Sequence, residues 1–457
     1  MKKLVLAAFM ALALLSCREE AKDSPRAETL QSYTIEQMLD NESVGGGSFS
    51  PDKSKLLVHS NRSGIYNLYT VPATGGEFTP VTASDSSSVF AISYFPGDER
   101  KLFRMDNNGD EIYHIYLMKE DGSTADLTPW EGARSLFYRW ADDQKSFFFG
   151  SNKRDANYMD LYEMDLETLS PRLIFQNDAG YEMEAISGDK RFLALSKPIN
   201  TNDSDLFLYR MADGFLVQVN ETPAANAAQD FTPDDSALLY TTDAGGEFAY
   251  LMKYHLADGT REKLMERKWD IVGSSFTEEG TYRVTYINED AKNTIEIEEV
   301  ATGKPLERPA LEGMNINSVG FSRDETKMRF FAGDSNSPSN LYVLDLASGE
   351  LHQLTDVLNP EIAPVDLVKA EVVRFPSFDG LEIPAIYYQP HQASEQNPTP
   401  ALVWVHGGPG GQSRQGFNPL IQYLVNHGYA VLAVNNRGSS GYGKTFYQMD
   451  DQNHGDK

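Results

Sequence analysis

The stretch SFSPDKSKLLVHS at residues 48–60 recurs in altered form as DFTPDDSALLYTT at 230–242, SFTEEGTYRVTYI at 275–287 and GFSRDETKMRFFA at 320–332. Each copy sets an aromatic residue before a small polar one, then an acidic turn, then alternating apolar positions. Phe49, Phe231, Phe276 and Phe321 mark the frame, and Tyr94, Trp140 and Ile186 fall in phase with them. About seven copies spaced by roughly 45 residues have the period of a four-stranded propeller blade. The second half of each unit repeats as well, as IYNLYTVPATGGEFTPVT, MDLYEMDLETLSPRLIF, SDLFLYRMADGFLVQVN and SNLYVLDLASGELHQLT. These read as two alternating strands about a Gly or Asp turn, so each unit holds two hairpins. One such sheet leaves both faces wet; stacking the sheets radially builds the core, and closing the ring protects the edges. A parallel β-helix is the alternative, but its repeats are much shorter.

After Thr355 the pattern changes. DVLNPEIAPVDLVKAEVVRF loses the blade periodicity and reads as a linker. EVVRFPSF and EIPAIYYQP then form a strand pair about Asp379-Gly380, and ALVWVHG is a fully apolar strand. FNPLIQYLVNHG predicts a helix with Leu420, Ile421, Leu424 and Val425 on one face and Gly428 as its stop, and YAVLAVNNRG returns to strand. Two antiparallel strands leading into β-loop-α-β open an α/β-hydrolase sheet. The expected fold is a seven-bladed all-β propeller followed by the N-terminal part of an α/β-hydrolase domain. The boundaries are 1–16 for a signal peptide, 17–33 for a tether, 34–357 for the propeller and 366–457 for the partial hydrolase.

The chemistry concentrates in VHGGPGG, residues 405–411. Acyl transfer needs backbone N–H donors aimed at the oxygen where negative charge develops, and glycines let the chain approach closely enough to present them. In α/β hydrolases one donor comes from the loop after the third strand and the other from the residue following the nucleophile. Gly408 is the first candidate donor and Gly407 the second. A plain Gly-Pro turn is the bland reading of these residues, and the flanking strand, helix and strand argue against it.

A propeller followed by FDGLEIPA, VHGGPGG and NNRGSSGYGKTF resembles the prolyl oligopeptidase family of serine peptidases, most closely its acylaminoacyl peptidase or bacterial dipeptidyl aminopeptidase branch. The resemblance implies cleavage of short peptides in a cavity between propeller and hydrolase, without a cofactor. It also implies an elbow serine in G-x-S-x-G, followed by its acid and histidine. No G-x-S-x-G is present. Ser413 follows the glycine loop directly and is a decoy, and His406, His427 and His454 all precede the missing elbow. The serine, aspartate and histidine of the triad are therefore absent, and the expectation is a fragment that is itself inactive. Among acidic pairs, Glu278-Glu279 falls on a blade turn and Glu298-Glu299 on an outer strand. Glu182 and Glu184 alternate on a strand that reads either as bordering the channel or as a solvated strand face, Asp110-Glu111 and Glu247 read as structural residues near blade edges, and Arg437 reads as an ion-paired loop residue. A lipid-anchored propeller that only binds, a pseudoenzyme and an esterase are the competing functions.

Composition narrows the partners. A formal charge of −27 argues against nucleic acid. Eight histidines without HxxxH or HxH spacing, and one cysteine without C-x-x-C, signal no metal site. That cysteine ends MKKLVLAAFMALALLSC, with two lysines, an apolar run from Leu4 to Leu15 and small Ser16 before Cys17. The run falls short of the roughly 20 residues a span needs. It resembles a bacterial lipoprotein signal with Leu14 and Ser16 at the −3 and −1 positions, which implies lipid attachment at Cys17 and a cell-envelope location. The expected partners are short peptide substrates and a membrane held through that anchor.

Overall fold

The computed structural model describes residues 30–306, 314–408 and 410–453. Cys17, the signal segment, almost all of the tether and His454 lie outside the described residues. Between Val44 and Gln353 the chain forms seven four-stranded antiparallel sheets, each built from four consecutive strands. The first strands of the sheets succeed one another around the ring, several in direct contact and the first meeting the last, as a propeller requires. They are Val44–Phe49, Val89–Tyr94, Ser135–Trp140, Glu182–Ile186, Ala227–Phe231, Asp270–Phe276 and Asn315–Phe321. All seven end on the residue that sets the phase of the repeat in the sequence.

Each of these strands carries a register shift against its neighbour, shortly before that end in six of them and near the start in Asp270–Phe276. A bulge bends and over-twists a strand, which suits strands converging on an axis. The acidic turn that follows links blades. Asp235, at φ 51°, accepts from the N–H groups of Gly188 and Asp189 in the blade before it, both at 2.8 Å. Glu325, at φ 53°, does the same for Glu279 N–H at 2.8 Å. The anchors are not equally buried. Phe231 is 4% exposed inside the core between two blades, whereas Phe321 is only partly buried and stacks on Tyr282. The two are equivalent in register, not in packing.

Among the described residues no strand is exchanged where the ring closes. Leu56, Val58 and Val71 of the first blade pack against Leu341, Val343 and Leu354 of the last, and Lys53 pairs with Asp324 across the same seam.

The second part of the fold is a sheet ordered Glu371–Pro376, Glu382–Tyr388, Ala430–Val434, Ala401–Val405, in which the last two strands are parallel. Ala401–Val405 therefore lies at an edge, with Val403 67% and Val405 66% exposed. Helix Pro419–Asn426 starts on Asn418, whose side chain accepts from two N–H groups of the first turn, and Gly428 follows at φ 85°. Its buried face differs from the expected one. Ile421 and Val425 are buried, but Leu420 is 42% exposed and Gln422, at 1%, takes its place. Gln422 donates to Ser335 O at 2.7 Å and Val368 O at 2.8 Å and accepts from Val368 N–H at 2.9 Å. Here polar atoms left unpaired by a strand end and a linker outweigh one more apolar contact.

The segment placed by sequence in a tether and the propeller start also differs. Tyr33 is 1% exposed; its hydroxyl donates to Asp366 at 2.6 Å and its N–H to Asn426 at 3.0 Å. A capping box on Thr34 opens the short helix Ile35–Leu39, and Met38 packs with Tyr33, Ile362 and Leu367. Residues 33–39 thus pack on the linker and the helix Pro419–Asn426, not on the first blade. The polarity of the preceding residues hides the two apolar anchors that decide this.

Candidate active-site loop

The strand Ala401–Val405 delivers His406, Gly407 and Gly408 beyond the end of the sheet. Both glycines are exposed, and neither N–H donates a hydrogen bond among the described residues. A Cβ on either would meet nothing within 4 Å, so crowding does not explain them. Gly408 instead has φ +52°, a conformation L-residues avoid, while Gly407 lies outside the left-handed region. The loop then turns back on itself, with Gly411 N–H donating to Gly408 O at 2.6 Å. A side chain at Gly411 would meet Gly407 O at 2.6 Å, and one at Gly410 the Tyr447 hydroxyl at 2.5 Å. Those two glycines are required by close packing, which the sequence reading did not single out.

A second segment, residues 435–443, braces this loop. His406 Nε2 lies 2.8 Å from the buried Ser439 Oγ, and Ser440 N–H donates to Gly411 O at 3.1 Å. Arg437 makes a two-pronged pair with Asp379, at 2.9 and 2.6 Å, and its guanidinium sits 4.9 Å from the Phe378 ring centroid. The Arg437 hydrogen bonds, helped by Leu381 N–H, hold the Asp379 carboxyl down at about 2. This pair ties the turn at residues 377–380 to the brace, as a fork-shaped guanidinium does best.

Ser413 is buried and its backbone is clasped by Asn435, which accepts from Ser413 N–H at 2.7 Å and donates to Ser413 O at 3.0 Å. Its hydroxyl has no partner among the described residues, and no histidine approaches it. His427 Nδ1 lies 2.9 Å from Tyr423 O, inside its own helix end. None of these residues forms a nucleophile–base pair.

The propeller holds the loop from the other side. Glu247 accepts from Thr445 N–H at 2.9 Å and from its hydroxyl at 2.7 Å, and Lys444 pairs with Asp243 at 2.9 Å. Asn288 donates to Gln412 at 3.0 Å and Asn315 to Gln415 O at 2.9 Å. Glu247 thus lies in the hairpin between strands Ala237–Thr242 and Tyr250–His255, as the sequence suggested, and its structural role is to anchor the segment at Thr445. Elsewhere in the propeller, Asp142, Glu184, Asp230, Asp235 and Glu278 line one pocket. Glu184 accepts from Ser196 at 2.5 Å. Burial pushes the Asp230 carboxyl up to about 6, against the pull of Phe276 N–H.

Comparison with known proteins agrees with this architecture. Residues 82–357 match the family model for the prolyl oligopeptidase N-terminal beta-propeller domain, and residues 415–457 match the prolyl oligopeptidase family model. The chain belongs to the prolyl oligopeptidase family. It is 26% identical over 462 residues to dipeptidyl aminopeptidase BIII of Pseudoxanthomonas mexicana, covering 97% of this chain and 66% of that protein. It is 22% identical to dipeptidyl peptidase family member 6 of Caenorhabditis elegans, covering 87% of this chain and 59% of that one. It therefore spans less than two thirds of the length of either relative. The structure of a puromycin-hydrolysing peptidase of Mycobacterium tuberculosis superposes with a TM-score of 0.72 at 15% identity, over 92% of this chain and 70% of that one.

Proposed function

We propose that this chain supplies the propeller and the oxyanion-loop half of a serine peptidase that hydrolyses short peptides. The observation that carries the reading is the pair of unengaged N–H groups on Gly407 and Gly408, at the end of a parallel strand and braced by a propeller-docked segment. Gly408 is the first donor, Gly407 the second. Developing charge on a scissile carbonyl is stabilised by such donors because they are already oriented when it forms. The nucleophile, its base and its acid come from polypeptide outside these residues. The relative named dipeptidyl aminopeptidase supports release of dipeptides as the form of the reaction. No cofactor enters it.

The test extends the open reading frame by roughly 200 residues, about what a complete α/β-hydrolase domain would still require. The extended protein is expected to label with a fluorophosphonate and to hydrolyse peptide esters, while residues 1–457 alone do neither. Labelling of the shorter chain, or an extension without G-x-S-x-G, would overturn the reading. We further place the protein in the cell envelope, anchored through Cys17. Two acyl chains give far more membrane affinity than this acidic surface does. Cys17→Ser is expected to move the protein from the membrane fraction to the soluble pool, and unchanged fractionation refutes the anchor.

A further inference from the structure

His406 is the loop's side-chain tie to the brace, and its proton can be placed. Its Nε2 lies 2.8 Å from Ser439 Oγ, and that Oγ lies 2.6 Å from Asn436 O. Ser439 is 0% exposed, so no solvent intervenes. A hydroxyl has one proton, and a carbonyl oxygen only accepts. Two neutral arrangements follow. In the first, Nε2–H donates to Ser439 and Ser439 donates to Asn436, so both short contacts are hydrogen bonds. In the second, Ser439 donates to Nε2 and Nδ1–H reaches for Gly407 O at 3.3 Å, which leaves the hydroxyl lone pairs facing Asn436 O. The first satisfies two short contacts; the second keeps one, adds a long one and opposes two oxygens. The first wins.

We propose that Ser439 is a positioning residue that fixes His406 as its Nε2–H tautomer and thereby sets the direction of the Gly408 N–H. The inference rests on the oxyanion reading above for its purpose, though not for its geometry. The Nδ1 edge of the ring faces Gly407 O at 3.3 Å, and a Cβ on Gly411 would lie 2.6 Å from that oxygen and 2.9 Å from Nδ1. Ring, carbonyl and Gly411 are thus in mutual contact. The peptide between Gly407 and Gly408 is trans, so its C=O and N–H point opposite ways. Where the ring lets Gly407 O sit decides where Gly408 N–H aims. With the proton on Nε2, the bare Nδ1 acts as a stop for that carbonyl and not as a donor that captures it.

The test is nitrogen NMR on the chain labelled with ¹⁵N-histidine and ¹⁵N-glycine, at about pH 8, where an unperturbed imidazole is neutral. His406→Gln assigns the ring. The wild type is expected to show a protonated Nε2 and a bare Nδ1, with the Nε2 proton protected enough to be observed. Ser439→Ala should shift population to Nδ1–H, move the Gly408 amide resonance and raise about tenfold the exchange of the Gly411 amide, which is hydrogen-bonded to Gly408 O, as for a locally released segment. Ser439→Thr, which keeps the hydroxyl, should restore the wild-type ring. A protonated Nδ1 in the wild type overturns the proposal whether or not a variant folds. So does a folded Ser439→Ala with the ring tautomer, the Gly408 resonance and Gly411 exchange unchanged. None of these signals depends on catalysis. A failed kinetic test at Gly408 would remove the oxyanion role and leave the tautomer standing; an unchanged tautomer would remove Ser439 and leave Gly408.

Discussion

Replacing Gln422 by leucine keeps the volume of the side chain and deletes its polar end, so the change isolates three hydrogen bonds. In the native protein Oε1 accepts from Val368 N–H, and Nε2 donates to the carbonyls of Ser335 and Val368. The residue is 1% exposed, so water cannot replace these contacts without opening the junction. A buried group left without its partner costs about 1–3 kcal/mol. The Val368 N–H loses its acceptor and stands near the top of that range; the two carbonyls stand near the bottom. Against this, leucine gains about 1–2 kcal/mol of transfer free energy. The net loss for Gln422→Leu is about 2–4 kcal/mol, and it falls on the junction of the helix, the linker and the last blade. Urea unfolding followed by tryptophan fluorescence measures it, with hydrogen exchange at Val368 locating it. Leu420→Gln, two residues away on the exposed side of the helix, is the control and should stay within about 0.5 kcal/mol. A loss below about 1 kcal/mol for Gln422→Leu, with Val368 exchange unchanged, would refute the claim that polar pairing decides which face of this helix is buried.

Gly408→Val, in the protein that carries the nucleophile, should cost roughly 10²- to 10³-fold in kcat by removing one oriented donor. The cause is backbone strain at positive φ, so Gly407→Ala, which has neither strain nor crowding, should cost less; equal losses would argue for a steric effect. Phe231→Ala should lose about 3–5 kcal/mol through cavity formation. Phe321→Ala, at a half-buried stack, should lose clearly less in the same denaturant titration, and equal losses would contradict the packing difference. Asp230 has its folded pKa raised to about 6 by burial, so the fold favours its neutral form. Stability should therefore fall as pH rises from about 4 to about 6 and stay reduced above that. The advantage of Asp230→Asn should grow over the same window by on the order of 3 kcal/mol, and a pH-independent difference would sink the assignment.

The blades were readable because their signal is local and repeated: Phe49, Trp140 and Phe276 each end a first strand, and a turn follows within four residues. The glycine loop was readable for the same reason, since a strand, a short motif and a helix are contiguous. What stayed hidden joins distant residues. Tyr33 meets Asp366, Arg437 meets Asp379 and Glu247 meets Thr445, and no periodicity in the neighbourhood of any of them announces a partner. Gln422 was hidden differently. Its position fits the helix face that looks outward by apolar count, and only the orphaned carbonyls of Ser335 and Val368 pull it inward. His406 and Ser439 each sit in a motif that was noticed, but a single bond between the two motifs carries no sequence signature.

The bond between Tyr33 and Asp366 has a topological meaning. Tyr33 precedes the first blade and Asp366 follows the last, so one contact of 2.6 Å brings together the two points where the chain enters and leaves the propeller. The ring behaves as a necklace with its clasp fastened on the neighbouring domain: the seam between the first and last blades holds by side-chain packing, and the clasp holds the cord. A break in any turn between blades would leave both pieces tethered at that clasp, whereas Tyr33→Phe would loosen the fastening while leaving every blade intact.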